Sequence, residues 1–285
     1  MLSIDVYHRP QTLELALRLL TEERAIVAGG TDLLVNPRYL AGRREVVDLG
    51  ELPLEFVDAA PGLVRIGANT TMAQVARSQV VRGLADGIVS RAAAVCGSPN
   101  IRNMATLVGN VAAALPSADT PPPLLALDAL VVLRSQGGPR RVAAADFFLG
   151  PARGDRHFDE LIESVEIPLP RPGTRGGFYK VGRTADDIAI VNAAAAICVE
   201  GGRIVFARVV AGAVAPVPLR VAAAEAYLLG KEPVEAVIVE AGRLAAAAAR
   251  PITDRRATAE HRRHLAGVCV TRALRQAAGL APPWR

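Results

Sequence analysis

Residues 193–214 read AAAAICVEGGRIVFARVVAGAV, small and apolar positions flanking a central Gly201–Gly202 pair. The spacing predicts a β-hairpin closed by a two-residue turn, because the favoured turns of that length need positive φ. Three alanine-rich stretches with helical spacing follow, around 219–229, 234–249 and 260–278. A hairpin followed by helices builds a small antiparallel sheet packed with helices, an α+β arrangement.

The chain ahead of this unit has a different texture. TLELALRLL places Leu13, Ala16, Leu17 and Leu20 on one helical face. AIVAGG, REVVDL and LVRIGA read as short strands, and NTTMAQVA offers Thr71 and Gln74 as a capping box opening a helix. GLADGIVSRAAAVCG reads as helix up to Gly97, and LVVLR, LIESVEIPLP and GFYKVG as further strands. The break at RPGTRGG divides the chain into domains 1–172 and 173–285, as 285 residues at roughly 150 per domain suggest. No internal repeat is visible.

A hydrophobic fraction of 51% supports real cores. No uninterrupted apolar run reaches the roughly 20 residues that span a bilayer. The opening MLSIDVYHRPQTLELALRLL lacks the pattern of a signal peptide, so a soluble cytoplasmic protein without membrane insertion is expected. The net charge is +5, yet of 33 basic residues only Lys180 and Lys231 are lysines. The arginines are scattered, with no basic stripe interleaved with aromatics, which argues against nucleic acid. Cys96, Cys198 and Cys269 lie far apart, so no local zinc or iron–sulfur ligand set exists. His261 and His264 have a chelating spacing without companions, and a solvated helix face accounts for them. No metal site is expected.

Two glycine-containing segments carry the candidate chemistry. In AGGTDLL, Gly29 and Gly30 permit positive φ and consecutive amides aimed at one point, with the Thr31 hydroxyl as a further donor. The same letters fit a plain tight turn, and neither standard nucleotide fingerprint applies. TLVGNVAAALPSAD adds Thr106, Gly109 and Asn110 on a second glycine turn, then Ser117 and Asp119 in a proline-flanked loop. Glycine amides suit phosphate oxygens, and a carboxylate such as Asp119 accepts from polyol hydroxyls; as a bare residue type it also suits a local turn cap. YKVGRTADDIAIV supplies Lys180, Asp187 and Ile188 where the second domain faces the first, and clefts between domains favour ligands.

With these segments in view, the chain resembles the FAD-binding medium subunits of the molybdenum hydroxylases, including those of carbon monoxide dehydrogenase, xanthine dehydrogenase and 4-hydroxybenzoyl-CoA reductase. YHRPQTLELALRLL, AGGTDLL, IRNMATLVGNVAAALPSADTPPPLLAL, VEIPLP, DDIA and AEHRRHLAGVCVTRAL occur in the family's order along nearly the whole chain. The resemblance implies a two-lobed FAD-binding domain followed by the small sheet-and-helix domain. It implies that Ala28, Gly29, Gly30, Thr31, Asp32, Leu33, Leu34 and Val35 form the loop whose amides hold the FAD pyrophosphate. Thr106, Gly109 and Asn110 match the family's T-I-G-G-N turn on the diphosphate side, and Asp119 an acid near the ribityl or ribose hydroxyls. Cys96 and Ile162 match positions lining the adenine or flavin surroundings, Lys180 a lysine at the flavin end, and Ile188 a residue near the isoalloxazine ring.

Two departures stand out: Val108 replaces the first glycine of the family's pair, and Ile188 is aliphatic where some members have an aromatic. The cysteine-bearing insertion of the hydroxybenzoyl-CoA reductase subunit is missing, which favours a generic hydroxylase flavin subunit. The resemblance also implies partners: a large subunit with molybdopterin that oxidises substrate, and a small subunit with two [2Fe-2S] clusters. Together they would form a dimer of heterotrimers, with electrons passing through FAD to NAD, dioxygen or a quinone-linked carrier. No side chain here acts as a catalytic acid, base or nucleophile in that scheme. Arg102 is a candidate for positive field at the diphosphate. A stand-alone flavoenzyme and a flavin-free scaffold remain as alternatives with the same fold.

Overall fold

The computed structural model describes residues 4–33, 35 and 40–280. The strands Val6–His8 (β1), Arg24–Val27 (β2) and Glu45–Asp48 (β3) form a parallel sheet in the order β1-β3-β2. The helix Leu13–Leu19 makes the crossover, its start capped where Thr12 Oγ1 accepts from Leu15 N at 3.2 Å. Ala25, Val27, Leu40 and Val46 form a small separate core. β2 is an edge strand, and the loop leaving it carries the first glycine segment.

The second sheet is antiparallel. It contains Val57–Ala60 (β4), Leu63–Gly67 (β5), Leu130–Ser135 (β6) and Gly138–Ala143 (β7). After the short ribbon Phe148–Gly150 (β8) with Arg153–Gly154 (β9), Leu161–Pro168 (β10) inserts between β5 and β6, giving β4-β5-β10-β6-β7. Ile66, Val131, Leu133, Val165 and Ile167 pack in the main core with residues of the helices Met72–Arg77, Ile88–Ala94 and Leu107–Ala112. Glu166 is buried beneath two arginines, accepting from Arg141 Nε at 2.7 Å with Arg65 Nε at 3.8 Å.

The third sheet, β11-β12-β13-β14, joins Thr174–Val181, Val191–Glu200, Arg203–Gly212 and Leu219–Arg220, all antiparallel. Glu200 pairs with Arg203 across the expected turn, where Gly201 and Gly202 have φ of +56° and +77°. Alternation along β12 explains its alanines. Ala193, Ala195 and Ile197 join the C-terminal core with Val270, Ala273 and Leu274 of the helix Ala259–Ala278, while Ala194 and Ala196 join the main core. Small side chains let one strand be covered on both faces.

The overall class is α+β, as expected, with the described sheets antiparallel apart from the parallel N-terminal one. Three local readings need correction. The helix expected over 219–229 starts at Ala222, because Leu219 and Arg220 pair with β13. The helix expected through 83–97 is broken, with Asp86 at φ +55° and Gly87 at φ +73°, and regular helix runs only over Ile88–Ala94. Asp86 is drawn out to Arg175 of β11, 3.1 Å away. The Thr106–Asn110 turn is the first turn of the helix Leu107–Ala112. Among the described residues no helix is long and apolar enough to cross a membrane.

Candidate functional site

The loop after β2 packs directly on the second glycine segment. A Cβ on Gly29 would lie 2.0 Å from the Met104 carbonyl oxygen, so glycine at 29 permits backbone-to-backbone approach. Gly30 alone of the two has positive φ, +67°. The two glycines therefore serve different ends: one seats the loop, the other turns it.

Thr106 caps the short helix. Its Oγ1 accepts from Gly109 N at 2.9 Å, and its neighbour Ala105 O accepts from Met72 N at 2.7 Å. Asn110 Oδ1 accepts from Thr120 Oγ1 at 2.7 Å and Thr120 N at 3.3 Å, which ties the helix to the proline-flanked loop and leaves the Asn110 amide nitrogen for other acceptors. Val108 belongs to the main core and also borders the cavity described below.

Asp119 serves as the hub between the halves of the chain. Lys180 Nζ of β11 donates to Asp119 Oδ2 at 2.7 Å and to Val95 O at 2.9 Å. Asn192 Nδ2 of β12 donates to Asp119 Oδ1 at 3.0 Å and to Ala118 O at 3.1 Å. Burial pushes the Asp119 carboxyl above the usual range, opposed by the Lys180 charge and by the hydrogen bonds from Lys180 and Asn192. Cys96 lies within the influence of this pair; burial, then the Asp119 charge, push its thiol up to about 12, so it is neutral at physiological pH. Asp187 pairs with Arg183 at 2.7 Å and accepts from Ile188 N at 2.9 Å, and the Arg183 hydrogen bond holds its carboxyl low.

These groups surround one cavity of about 600 Å³. Ala28, Gly29, Gly30, Thr31, Asp32 and Leu33 line it, as do Cys96, Thr106, Gly109, Asn110, Ser117, Asp119, Ile162, Asp187 and Ile188. Lys180 stands behind Asp119 instead of on the wall. Val35 is 71% exposed and away from the cavity, and Leu34 falls outside the described residues. Arg102 also lies off the wall, donating to Gly97 O.

The positive charge at the cavity comes from elsewhere: Arg24, Arg43, Arg153 and Arg156 border it. Sequence reasoning missed them because arginines abound throughout the chain. It also missed Asn192, fully buried with its Oδ1 unpartnered. A polar residue opening the apolar run VNAAAAI was the available signal, since buried amides are kept for specific partners.

The wall chemistry fits an extended anionic dinucleotide. Glycine backbone allows close approach, amide and hydroxyl donors are present, and apolar Ile162 and Phe147 share the wall with arginines. Comparison with known proteins agrees. Residues 2–170 match the family model described as the FAD binding domain in molybdopterin dehydrogenase, and residues 177–277 match that of the CO dehydrogenase flavoprotein C-terminal domain. The chain is 32% identical over 281 residues to the carbon monoxide dehydrogenase medium chain of Afipia carboxidovorans, covering 95% of this chain and 96% of that one. It is 33% identical over 231 residues to the xanthine dehydrogenase FAD-binding subunit of Escherichia coli O157:H7, covering 77% of each. Among solved structures, carbon monoxide dehydrogenase from Hydrogenophaga pseudoflava lacking the Mo-pyranopterin moiety of its molybdenum cofactor superimposes with a TM-score of 0.93 at 29% identity, covering 99% of this chain and all of that one. The chain belongs to the family of FAD-binding medium subunits of the molybdenum hydroxylases, and is an oxidoreductase subunit.

Proposed function

We propose that the cavity holds FAD and that this chain links the iron–sulfur clusters of a small partner subunit to an external electron acceptor. The supporting observation is the convergence of the 28–33 loop, the Thr106–Asn110 turn, Asp119 and the 187–188 segment from both halves on one cavity. Gly29, Gly30, Thr31, Thr106, Gly109 and Asn110 would hold the pyrophosphate, with Ser117 and Asp119 toward the polyol. Cys96, Ile162 and Ile188 would supply walls for the ring systems, and Lys180 acts through Asp119 to fix that carboxylate in place. Bound there, FAD supplies the redox chemistry, while the protein supplies orientation and a controlled electrostatic field.

The full reading places the chain, as units 1–172 and 173–285, in a cytoplasmic dimer of heterotrimers with iron–sulfur and molybdopterin subunits. Purified protein should show oxidised-flavin absorbance near about 370 and 450 nm. A chain that is colourless and stays so after incubation with FAD overturns the flavin assignment. Iron and molybdenum co-purifying in fixed ratio with the chain test the partners.

A further inference from the structure

Lys180, Asn192 and Gly212 stand in one row across three strands. Lys180 of β11 is in register with Asn192 of β12, and Asn192 with Gly212 of β13. The row meets the 115–119 loop of the other half of the chain, whose Leu115, Ser117, Ala118 and Asp119 line the cavity. Each strand makes its own bond to that loop. Lys180 Nζ donates to Asp119 Oδ2 at 2.7 Å, and Asn192 Nδ2 to Asp119 Oδ1 and Ala118 O at 3.0 and 3.1 Å. Ala213 N, just past the end of β13, donates to Pro116 O at 2.6 Å. Asn192 and Gly212 lie behind the cavity wall, not on it.

An amide in this place is costly. Asn192 is fully buried and its Oδ1 has no hydrogen-bond partner among the described residues, whereas alanine fills the next four positions of the strand. The donor end accounts for it. Nδ2 meets two acceptors, and turning the amide over would set Oδ1 against those same oxygens. Gly212 makes room for the other end. Its φ lies outside the left-handed region, so the backbone does not call for glycine; a Cβ there would instead overlap Asn192 Oδ1 and lie 3.1 Å from Pro122 Cγ. We propose that Asn192 is a positioning residue for Asp119 and the 115–119 loop, and that Gly212 acts through it by leaving the amide its space. The C-terminal sheet thereby sets the shape of a cavity wall built from the other half of the chain. The consequence for FAD rests on the flavin reading; the positioning of the loop does not.

The test compares the full chain with N192A, G212A and the double variant, each freed of cofactor. Hydrogen exchange reads the backbone amides of the 115–119 loop, and calorimetry reads FAD affinity. Each single change should speed exchange at Ala118 and Asp119 and weaken FAD, both about tenfold, the loss of one hydrogen bond to a charged group. Amides of β6 should exchange as in the wild type. The double variant should stay within about twofold of N192A, because a methyl at 212 has no amide left to displace. Losses that multiply in the double variant, or exchange that quickens equally in β6, overturn the inference. If G212A fails to fold, N192A decides alone: wild-type exchange and affinity in that variant overturn it. A wild-type chain that takes no FAD overturns the flavin reading, and the exchange pattern then still upholds or overturns the positioning of the loop.

Discussion

Lys180 Nζ lies 2.7 Å from Asp119 Oδ2, bridging 61 residues of sequence, and both side chains are buried. With Asn192 on the other carboxylate oxygen, the pair fastens β11 and β12 to the loop that borders the cavity. A buried pair of this kind adds little net stability over an apolar substitute, but losing one partner leaves a buried charge uncompensated.

Lys180→Met should therefore destabilise the chain by about 3–5 kcal/mol at neutral pH, and adding Asp119→Asn should recover part of that loss. The sign with pH follows from the raised Asp119 carboxyl. Without the lysine it rises further, so the deficit is absent below the unfolded value of about 3.9 and sets in as pH climbs through the raised folded value. Urea denaturation of K180M should show a smaller deficit at acidic than at alkaline pH. A deficit independent of pH would show that Asp119 is not the group left exposed to the loss.

Cys96, with its thiol raised to about 12, is a poor nucleophile despite bordering the cavity. Cys198 and Cys269 are buried, the latter also raised to about 12. Alkylation with iodoacetamide near neutral pH should label the native chain far more slowly than the unfolded chain, in which all three thiols react. Rapid native labelling at Cys96, mapped by peptide mass, contradicts a thiol raised to about 12.

The sequence was most legible where structure depends on neighbours. Gly201–Gly202 forces its own turn, and Thr71 with Gln74 forms the full capping box. It was least legible where distant partners decide. Asp86 leaves the helical region with a partner 89 residues away, and Asn192 finds Asp119 at a separation of 73. The glycine segments were recognisable as a set, but the separate roles of Gly29 and Gly30 depend on Met104, which only folding brings near. The cavity arginines among the described residues could not be singled out because proximity, rather than residue type, distinguishes them.

Asp254 provides a second electrostatic test, away from the cavity. Burial pushes its carboxyl up, yet the Arg262 guanidinium at 2.8 Å and the Arg256 and Ala257 backbone N–H groups hold it at about 2. Arg262 in turn donates to Ile190 O, anchoring the final helix beside the 187–190 segment. The folded value is depressed, so this contribution is present above the unfolded value of about 3.9 and is lost as pH falls through the folded one. Asp254→Asn should cost about 1–2 kcal/mol at pH 7, discounted for partial exposure, and the deficit should narrow in acid. Thermal melts at several pH values measure both.

The loop after β2 seats on the Met104 backbone. In Gly29→Ala the new Cβ would meet the Met104 carbonyl oxygen at 2.0 Å, and that backbone has little freedom to yield. Ala105 N donates to Ile101 O and Ala105 O accepts from Met72 N, each at 2.7 Å. The strain should cost about 1–3 kcal/mol and lift the 28–33 loop from the cavity wall. Gly150→Ala, with nothing within 4 Å of the added Cβ, serves as the control and should behave as wild type. The expected result is a chain that folds with a lowered melting temperature and a reduced flavin absorbance per chain. Full flavin content with an unchanged melting temperature in G29A would mean that the loop does not seat on Met104 in solution.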